Sequence, residues 1–454
     1  MGEHTSGAGG WSVPQRLAAM MFLQYFGLGA WIVPLTRYLP ASPEAGGLAF
    51  TPTEVGLVYM TLAVGGLVAP FVVGLLADRW FAAEKVIAWS HAVMAAVLAG
   101  AAWWCQAHCG PAADPAAAVG PLVAMMLAYA VGCQITLTLT NVISFRNLRD
   151  SEGTFGYVRL VGTFGWVVGG VVVGWVLNPM SAQPLVLASV ASAVMACFSL
   201  TLPHTPPKGY GRPVREVLGL PAVKMLRDRA VVVFAVVLFV GNMLNQFYTL
   251  FTAPYLHQLG VRADLGPLGG FGPEVVMTLA QWCEIACMAA TPWLLKRVGL
   301  KWIMTLGVAG WVLRNALLYS GSVPWTVAVA LPMHGWSYAF FSLMGALFVD
   351  REAPEHLRAG TQALVTFLAS GPAVILGNVL ASRVVEAHRA AGATDWQAVW
   401  AVPLIGYVAV FVVFVALFRE PPGPEDRGQT TEDSSGDRGQ GTGVNKPIPA
   451  GPNP

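Results

Sequence analysis

Apolar segments of about twenty residues recur along the chain, separated by short polar stretches. Each is long enough to cross the roughly 30 Å hydrocarbon core of a bilayer as a helix. Barrel strands are disfavoured because the segments are too long and too uniformly apolar. The pattern predicts twelve spans, near residues 15–38, 53–78, 85–104, 118–143, 155–178, 183–202, 230–256, 273–296, 300–320, 324–349, 360–385 and 397–419.

Two polar segments divide this pattern. Residues 203–229 form a basic linker that separates the spans into six and six, and residues 420–454, rich in Pro, Gly, Asp and Thr, are expected to be a disordered tail. The predicted fold is an all-α membrane protein with six-helix bundles at residues 1–202 and 230–419. No cleavable signal peptide is expected, because the first apolar run is a full span without a small-residue cleavage site.

Composition agrees with a protein embedded in the lipid bilayer. Hydrophobic residues make up 55% of the chain and charged residues only 11%, against about 25% charged residues in an average soluble domain. The net charge of +2 does not indicate a nucleic-acid partner, because the basic residues lie in loops between spans. The six cysteines show no metal or redox spacing, so neither a metal nor another cofactor is expected.

The basic residues also predict the orientation in the membrane. They concentrate in the loops of one side, and cytoplasmic loops carry the excess of Lys and Arg. Both termini and the linker are therefore expected in the cytoplasm, with the protein multi-pass in the inner membrane. The residues on that side, besides the linker, are Arg79, Lys85, Arg146, Arg149, Lys296, Arg297, Lys301, Arg351 and Arg358.

Glu284 is the only carboxylate that the predicted spans place well inside the membrane, and Gln281 lies three residues before it on the same helical face. A charged acid at this depth costs roughly 2.5–3.5 kcal/mol on insertion scales, so it needs a partner, a proton or water. A functional role is the leading interpretation. The structural alternative is a hydrogen-bond pin between helices.

Three other spans carry polar residues at helical spacing. Together with Glu284 they predict a polar pocket near the midplane between the two halves, where secondary transporters bind substrate. Arg314 lies near none of these faces and is expected to be structural. The faces are Arg159, Thr163 and Trp166 in span 5, Asn242, Gln246 and Thr249 in span 7 with Asn245 beside them, and His334 and Tyr338 in span 10.

Glycines form a second stripe in span 5. Small residues at helical spacing let helix backbones approach closely, so the stripe predicts packing and a surface on which the halves slide. Its members are Gly162, Gly165, Gly169, Gly170 and Gly174.

The six-plus-six layout resembles the major facilitator superfamily. The loop after span 2 carries that superfamily's cytoplasmic signature, a glycine followed four residues later by Asp-Arg and then by a basic residue, here Gly74, Asp78, Arg79 and Lys85. The resemblance implies that Gly74, Asp78 and Arg79 act in conformational gating, through a close helix approach and a breakable salt bridge.

A narrower resemblance, to the nucleoside–proton symporter family, extends from about Arg16 to Arg419. It implies that the residues matching Arg159, Thr163, Gln246, Gln281 and Glu284 line the nucleoside site. The stretches that carry it are 23–31 (LQYFGLGAW), 141–145 (NVISF), 159–163 (RLVGT), 281–284 (QWCE), 311–314 (WVLR) and 394–400 (TDWQAVW).

The family pattern is not matched everywhere. Trp166 fits its aromatic position, but Thr249 stands where the family has an asparagine, and Ala339 stands where it has an aspartate. The second departure bears on proton coupling and on the choice of substrate.

The predicted function is import of nucleosides with protons by alternating access, by a protein that this fold implies is a monomer. Glu284 would carry the proton, since burial disfavours its charged form and substrate contacts would shift that balance. Trp166 or Tyr338 could stack on the base. The alternatives are an uncoupled facilitator and a symporter for a sugar or nucleobase. A receptor remains open, whereas an enzyme is disfavoured because no His–Asp or Ser–Lys pair recurs at helical spacing.

Overall fold

The structure is a computed structural model. It describes residues 11–419 except 78, 111–113, 149–150, 208–219, 262, 265–269, 355–356 and 391–392. Most of the described chain is helical, and strands occur only as two short antiparallel pairs within it.

The described residues up to position 207, which we call the first part of the chain, form six α-helices. Local sequence sets where they begin: Thr51 and Glu54 form a reciprocal capping box around Pro52, the first residue of the second helix. A 3₁₀ turn, Pro43–Ala45, lies just before it. The helices are α1 (Val13–Tyr38), α2 (Pro52–Leu76), α3 (Ala83–Ala107), α4 (Pro115–Asn147), α5 (Ser151–Val176) and α6 (Gln183–Ser199).

The second part begins with a 3₁₀ helix, Leu220–Arg227. Asp228 caps the next helix by accepting hydrogen bonds from the backbone N–H groups of Ala230 and Val231. The helices are α7 (Arg229–Gln258), α8 (Pro273–Val276), α9 (Leu279–Ser320), α10 (Val323–Trp325), α11 (Pro332–Ser337), α12 (Met344–Glu352), α13 (Arg358–Ser370), α14 (Pro372–Ala387) and α15 (Trp396–Leu417), with strands β1 (Ala263–Asp264), β2 (Gly270–Phe271), β3 (Arg389–Ala390) and β4 (Ala393–Thr394).

Two irregularities divide the longer helical runs. Gly299 has φ 76° and ψ 165°, which breaks α9 between the predicted spans that end at 296 and begin at 300. Between α10 and α12 two π-helical segments, Thr326–Ala330 and Tyr338–Leu343, interrupt the α-helical turns. Such π segments are frequent at functional sites, and the second begins at a predicted site residue.

Ten helical stretches in the described chain are long and apolar enough to cross a membrane, and a shorter apolar helix spans Gln183–Ser199. This confirms the predicted helical, multi-pass membrane architecture.

The glycines of α5 pack on two different neighbours. A side chain at Gly165 or Gly169 would collide with backbone atoms of α1, at Phe22 and Phe26. Gly170 and Gly174 instead face residues 273–278, which form α8 and the two residues after it. The stripe therefore packs α5 onto α1 with one side and onto the α8 region with the other.

Three clusters of buried apolar side chains show how the two parts of the chain meet. One cluster combines residues of both parts, such as Trp31, Tyr129, Phe251 and Trp400. It lies toward the end that holds Pro43–Ala45 and the two strand pairs, which we call the hairpin end. The other two clusters each use one part only, residues 17–202 or residues 230–418.

The two separate clusters lie toward the opposite end. There Thr205 accepts a hydrogen bond from the backbone of Ala83, and Arg146 donates to the carbonyl of Pro206. We call this the linker end. The two parts of the chain thus share one apolar core at the hairpin end and keep separate cores at the linker end.

Candidate functional site

A cavity of about 190 Å³ lies where α1 and α5 face α7, α8, α9 and α11. We call it the central cavity. Both parts of the chain contribute to its wall, as the sequence predicts for the substrate site. Its lining residues are Gly29, Ile32, Val33, Trp166, Gly170, Tyr248, Thr249, Glu274, Met277, Thr278, Gln281 and His334.

Four residues that the sequence analysis assigns to the polar pocket, Trp166, Thr249, Gln281 and His334, line this cavity. Trp166 is held against α1 by Gly29, where a side chain would collide with the carbonyl oxygen of Trp166. Thr249 donates its hydroxyl to the carbonyl of Asn245, 3.2 Å away. The aromatic face and the polar groups therefore come from opposite walls.

Four further predicted residues form a second group on α5, α9 and the π-helical segment Tyr338–Leu343. Arg159 donates to the hydroxyl of Thr163 at 3.3 Å, and its guanidinium lies 4.2 Å from the ring centroid of Tyr25. Glu284 lies close enough to Arg159 and Tyr338 to interact with both electrostatically. We call Tyr25, Arg159, Thr163, Glu284 and Tyr338 the charged group.

The charged group adjoins the central cavity, because Glu284 follows the cavity residue Gln281 by less than one turn of α9. Glu284 and Arg159 do not form an ion pair within 4.0 Å among the described residues. Both are partly buried, and Tyr338 is 46% exposed. The two charges are thus available to a polar molecule that lies between them.

Gln246 takes a more structural position than the sequence predicts. It is buried, its amide donates to the carbonyl of Asn242 at 3.1 Å, and Gly377 of α14 packs closely against its side chain. It does not line the central cavity.

Arg314 is not isolated from the polar faces, and that expectation is wrong. It is fully buried and donates to Asn245 at 3.0 Å and to His334 at 2.9 Å. Its guanidinium also lies 4.5 Å from the ring centroid of Tyr248. Helical spacing within one span could not show this, because it does not reveal which helices are neighbours. The sequence signal for Tyr248 is only its place beside Thr249.

The most buried ion pair in the described chain joins residues that the sequence does not single out. Arg37 Nη1 lies 2.5 Å from Glu274 Oε1, with side-chain exposures of 7% and 0%. Glu274 is therefore more completely buried than Glu284, which is only partly buried. The sequence does not single out Glu274 because it lies in the first turn of a helix, where acidic residues are common.

Of the predicted gating residues, Asp78 lies outside the described residues. Gly74 lies in α2, and Arg79 is exposed in the turn after that helix.

Ala339 is fully buried in the apolar cluster of the second part of the chain, among residues such as Phe341 and Trp311. A methyl group fits this apolar setting. The neighbouring Tyr338, in contrast, belongs to the charged group.

Comparison with known proteins identifies the family of this chain. A family model described as "Nucleoside H+ symporter" matches residues 11–422. The chain belongs to the nucleoside H⁺ symporter family. This confirms the resemblance seen in the sequence and places the chain among transporters rather than enzymes.

Two relatives of this symporter come from Escherichia coli (strain K12). The putative nucleoside transporter YegT is 32% identical over 425 residues, which cover 89% of this chain and 93% of the relative. The xanthosine permease is 28% identical over 418 residues, covering 90% of this chain and 96% of the relative.

Solved structures agree with the fold. The crystal structure of the nucleoside transporter NupG matches this symporter with a TM-score of 0.77 and 26% identity, over 90% of this chain and 100% of that one. The peptide transporter POT in complex with sulfate matches with a TM-score of 0.67 and 14% identity, over 92% and 97% of the two chains. The second match shows a common fold alone.

Proposed function

We propose that this chain imports nucleosides together with protons by alternating access, as a monomer in the bacterial inner membrane. The observation that carries the proposal is the central cavity, to which both parts of the chain contribute, with Glu284 and Arg159 beside it. Membership of the nucleoside H⁺ symporter family supports the substrate and the coupling ion.

The architecture that goes with this function is twelve spans in two six-helix bundles, residues 1–202 and 230–419, joined by the linker 203–229 and followed by the tail 420–454. The break at Gly299 supports it by dividing α9 into two span-length parts. The separate apolar clusters of residues 17–202 and 230–418 support a division into two bundles.

The linker end is proposed to face the cytoplasm, together with both termini. The basic residues described there, such as Lys85, Arg146 and Lys224, support this orientation. Because the bundles share a core only at the hairpin end, this is an inward-facing arrangement. Single cysteines introduced at Glu44 and at Gly209 test it: an impermeant reagent outside should label only the first, and labelling of the second would reverse the orientation.

In the proposed site, Gln281 and Thr249 offer hydrogen bonds to the ribose hydroxyls or the polar edge of the base. Trp166 or Tyr338 offers an aromatic face on which the base stacks. Arg159 and Glu284 complete the site from the charged group, with Glu284 carrying the proton. Substrate that bridges Arg159 and Glu284 shifts the proton affinity of the acid, and linkage makes the effect reciprocal.

Uptake into proteoliposomes tests the function. Purified protein is reconstituted and supplied with labelled nucleosides, nucleobases and sugars, with and without an inward pH gradient. Nucleoside uptake above equilibrium under the gradient is the expected result. Uptake only of sugars or nucleobases would replace the substrate, and no substrate-dependent flux at all would favour a receptor.

An uncoupled nucleoside facilitator is the second candidate. It is favoured by the alanine at position 339, which supplies no carboxylate to the π-helical segment Tyr338–Leu343. In that case nucleoside would enter only until its concentrations on the two sides are equal, whatever the pH gradient.

A further inference from the structure

The Arg37–Glu274 ion pair separates two cavities. Glu274 belongs to the wall of the central cavity. Arg37 belongs to the wall of a second cavity of about 390 Å³ at the hairpin end, lined also by Pro40, His257 and Arg389. The 2.5 Å contact between the two side chains therefore forms part of the partition between these spaces.

The same ion pair joins the two parts of the chain. Arg37 lies in the last turn of α1, and Glu274 lies in the first turn of α8. The other two ion pairs of the described residues each stay within one part of the chain and leave at least one side chain well exposed. Screening by water is therefore weakest at Arg37 and Glu274.

The pair is incompletely satisfied. Arg37 Nε and Glu274 Oε2 are buried and have no hydrogen-bond partner among the described residues. Removing one charge of such a pair leaves the other buried and uncompensated, which is strongly unfavourable. A neutral Glu274 thus disfavours the closed partition, because Arg37 then needs water.

Few other groups of the surroundings can titrate. From α7, Tyr248 lines the central cavity and His257 lines the hairpin-end cavity, and from α11 His334 lines the central cavity. From α5, Gly170 and Gly174 approach the start of α8. Among the described lining residues of both cavities, Glu274 is the one carboxylate.

We propose that Glu274 is a second proton-coupling residue of this transporter, and that its protonation parts it from Arg37 and opens the hairpin end. This inference rests on the proposed function. A proton from the outer solution converts the carboxylate of Glu274 to the neutral acid, while Arg37 keeps its proton and becomes hydrated. When the partition closes again, Glu274 loses that proton to the central cavity and the ion pair re-forms.

Outside labelling of Val33, on the central-cavity side of the partition, measures this opening. Val33→Cys is made in a protein whose six native cysteines are replaced by serine, and an impermeant thiol reagent is added outside between about pH 4 and pH 8. Because only the thiolate reacts, each rate is divided by that of a cysteine introduced at the exposed Glu44 and measured at the same pH. If protonation opens the partition, this normalised rate should rise as the pH falls.

The decisive variant is Arg37→Gln combined with Glu274→Gln, which removes both charges and keeps a hydrogen-bonding pair of similar size. Its normalised labelling rate should be independent of pH, and that of Glu274→Gln alone should be high at every pH. The control Glu386→Gln removes an exposed acid of the hairpin end that bonds Thr53, and it should keep the wild-type pH dependence.

An unchanged pH dependence in the double variant would overturn the inference, provided that the variant still exchanges labelled nucleoside across the membrane. Exchange is measured on the same preparation, so a misfolded protein is recognised and cannot imitate either result. Failure of the proposed function is a different outcome, in which the wild type itself transports no nucleoside.

Discussion

Arg314 donates a hydrogen bond of 2.9 Å to Nδ1 of His334. A guanidinium has no acceptor, so Nδ1 must accept and the imidazole must be neutral with its proton on Nε2. Tyr248 stacks on the same ring, with centroids 4.4 Å apart and an angle of 14°. Arg314 and Tyr248 therefore fix His334 as a neutral hydrogen-bond donor at the wall of the central cavity.

His334→Phe should weaken nucleoside binding about tenfold, because it keeps the stack on Tyr248 but removes a donor worth roughly 1–1.5 kcal/mol. Calorimetric titration of purified protein measures the change. His388→Phe is the matched control, since His388 is exposed and its ring bonds only the carbonyl of Val384 among the described contacts. Equal affinities for wild type and His334→Phe would remove this donor from the site.

Arg159→Ala should abolish measurable nucleoside binding and leave the melting temperature within a few degrees of wild type. The reason is that the described contacts of Arg159 are with Tyr25 and Thr163, and a cation–π contact of this kind contributes only about 0.5–1 kcal/mol. Binding and thermal unfolding are measured on one preparation, with Arg146→Ala as control. Unchanged affinity with a large fall in melting temperature would make Arg159 structural.

Glu284→Gln should lose accumulation driven by a pH gradient and retain exchange of nucleoside. At one proton per nucleoside, wild type should reach about tenfold accumulation for each unit of pH gradient. The amide keeps hydrogen bonds but cannot release a proton. Persistent accumulation in this variant would show that the proton moves through another group, and Glu274 would then be the first to examine.

Gly335→Ala should destabilise the protein by about 1–3 kcal/mol, the usual cost of overpacking. A Cβ at Gly335 would collide with the carbonyl oxygen of Ala280 and lie 2.5 Å from the backbone nitrogen of Glu284. Thermal unfolding in detergent measures the loss. Gly120→Ala is the control, because a Cβ there meets nothing within 4 Å, and equal melting temperatures for the two variants would contradict the packing argument.

The sequence predicts the helical membrane architecture well because hydrophobic length is a property of each segment alone. The sequence also predicts that Trp166, Thr249 and Gln281 line one site, because residues on the same face of a helix recur at a fixed spacing. It misses the neighbours of Arg314, since contacts between helices depend on packing that no single segment encodes.

Glu274 illustrates a second limit. An acid near a helix start is favoured by the helix dipole, so its position does not reveal that the side chain is fully buried. Only the fold brings Arg37, more than two hundred positions earlier, within 2.5 Å of it.

The contact between α1 and α5 limits how this transporter can change its substrate. Gly29, Gly165 and Gly169 let the two helix backbones touch, so a larger side chain at these positions must displace a whole helix. The wall of the central cavity that α1 and α5 form is therefore rigid. Substrate preference can then evolve mainly through the opposite wall, where side chains of α7, α9 and the π-helical turns after α11 can change without moving α1 or α5.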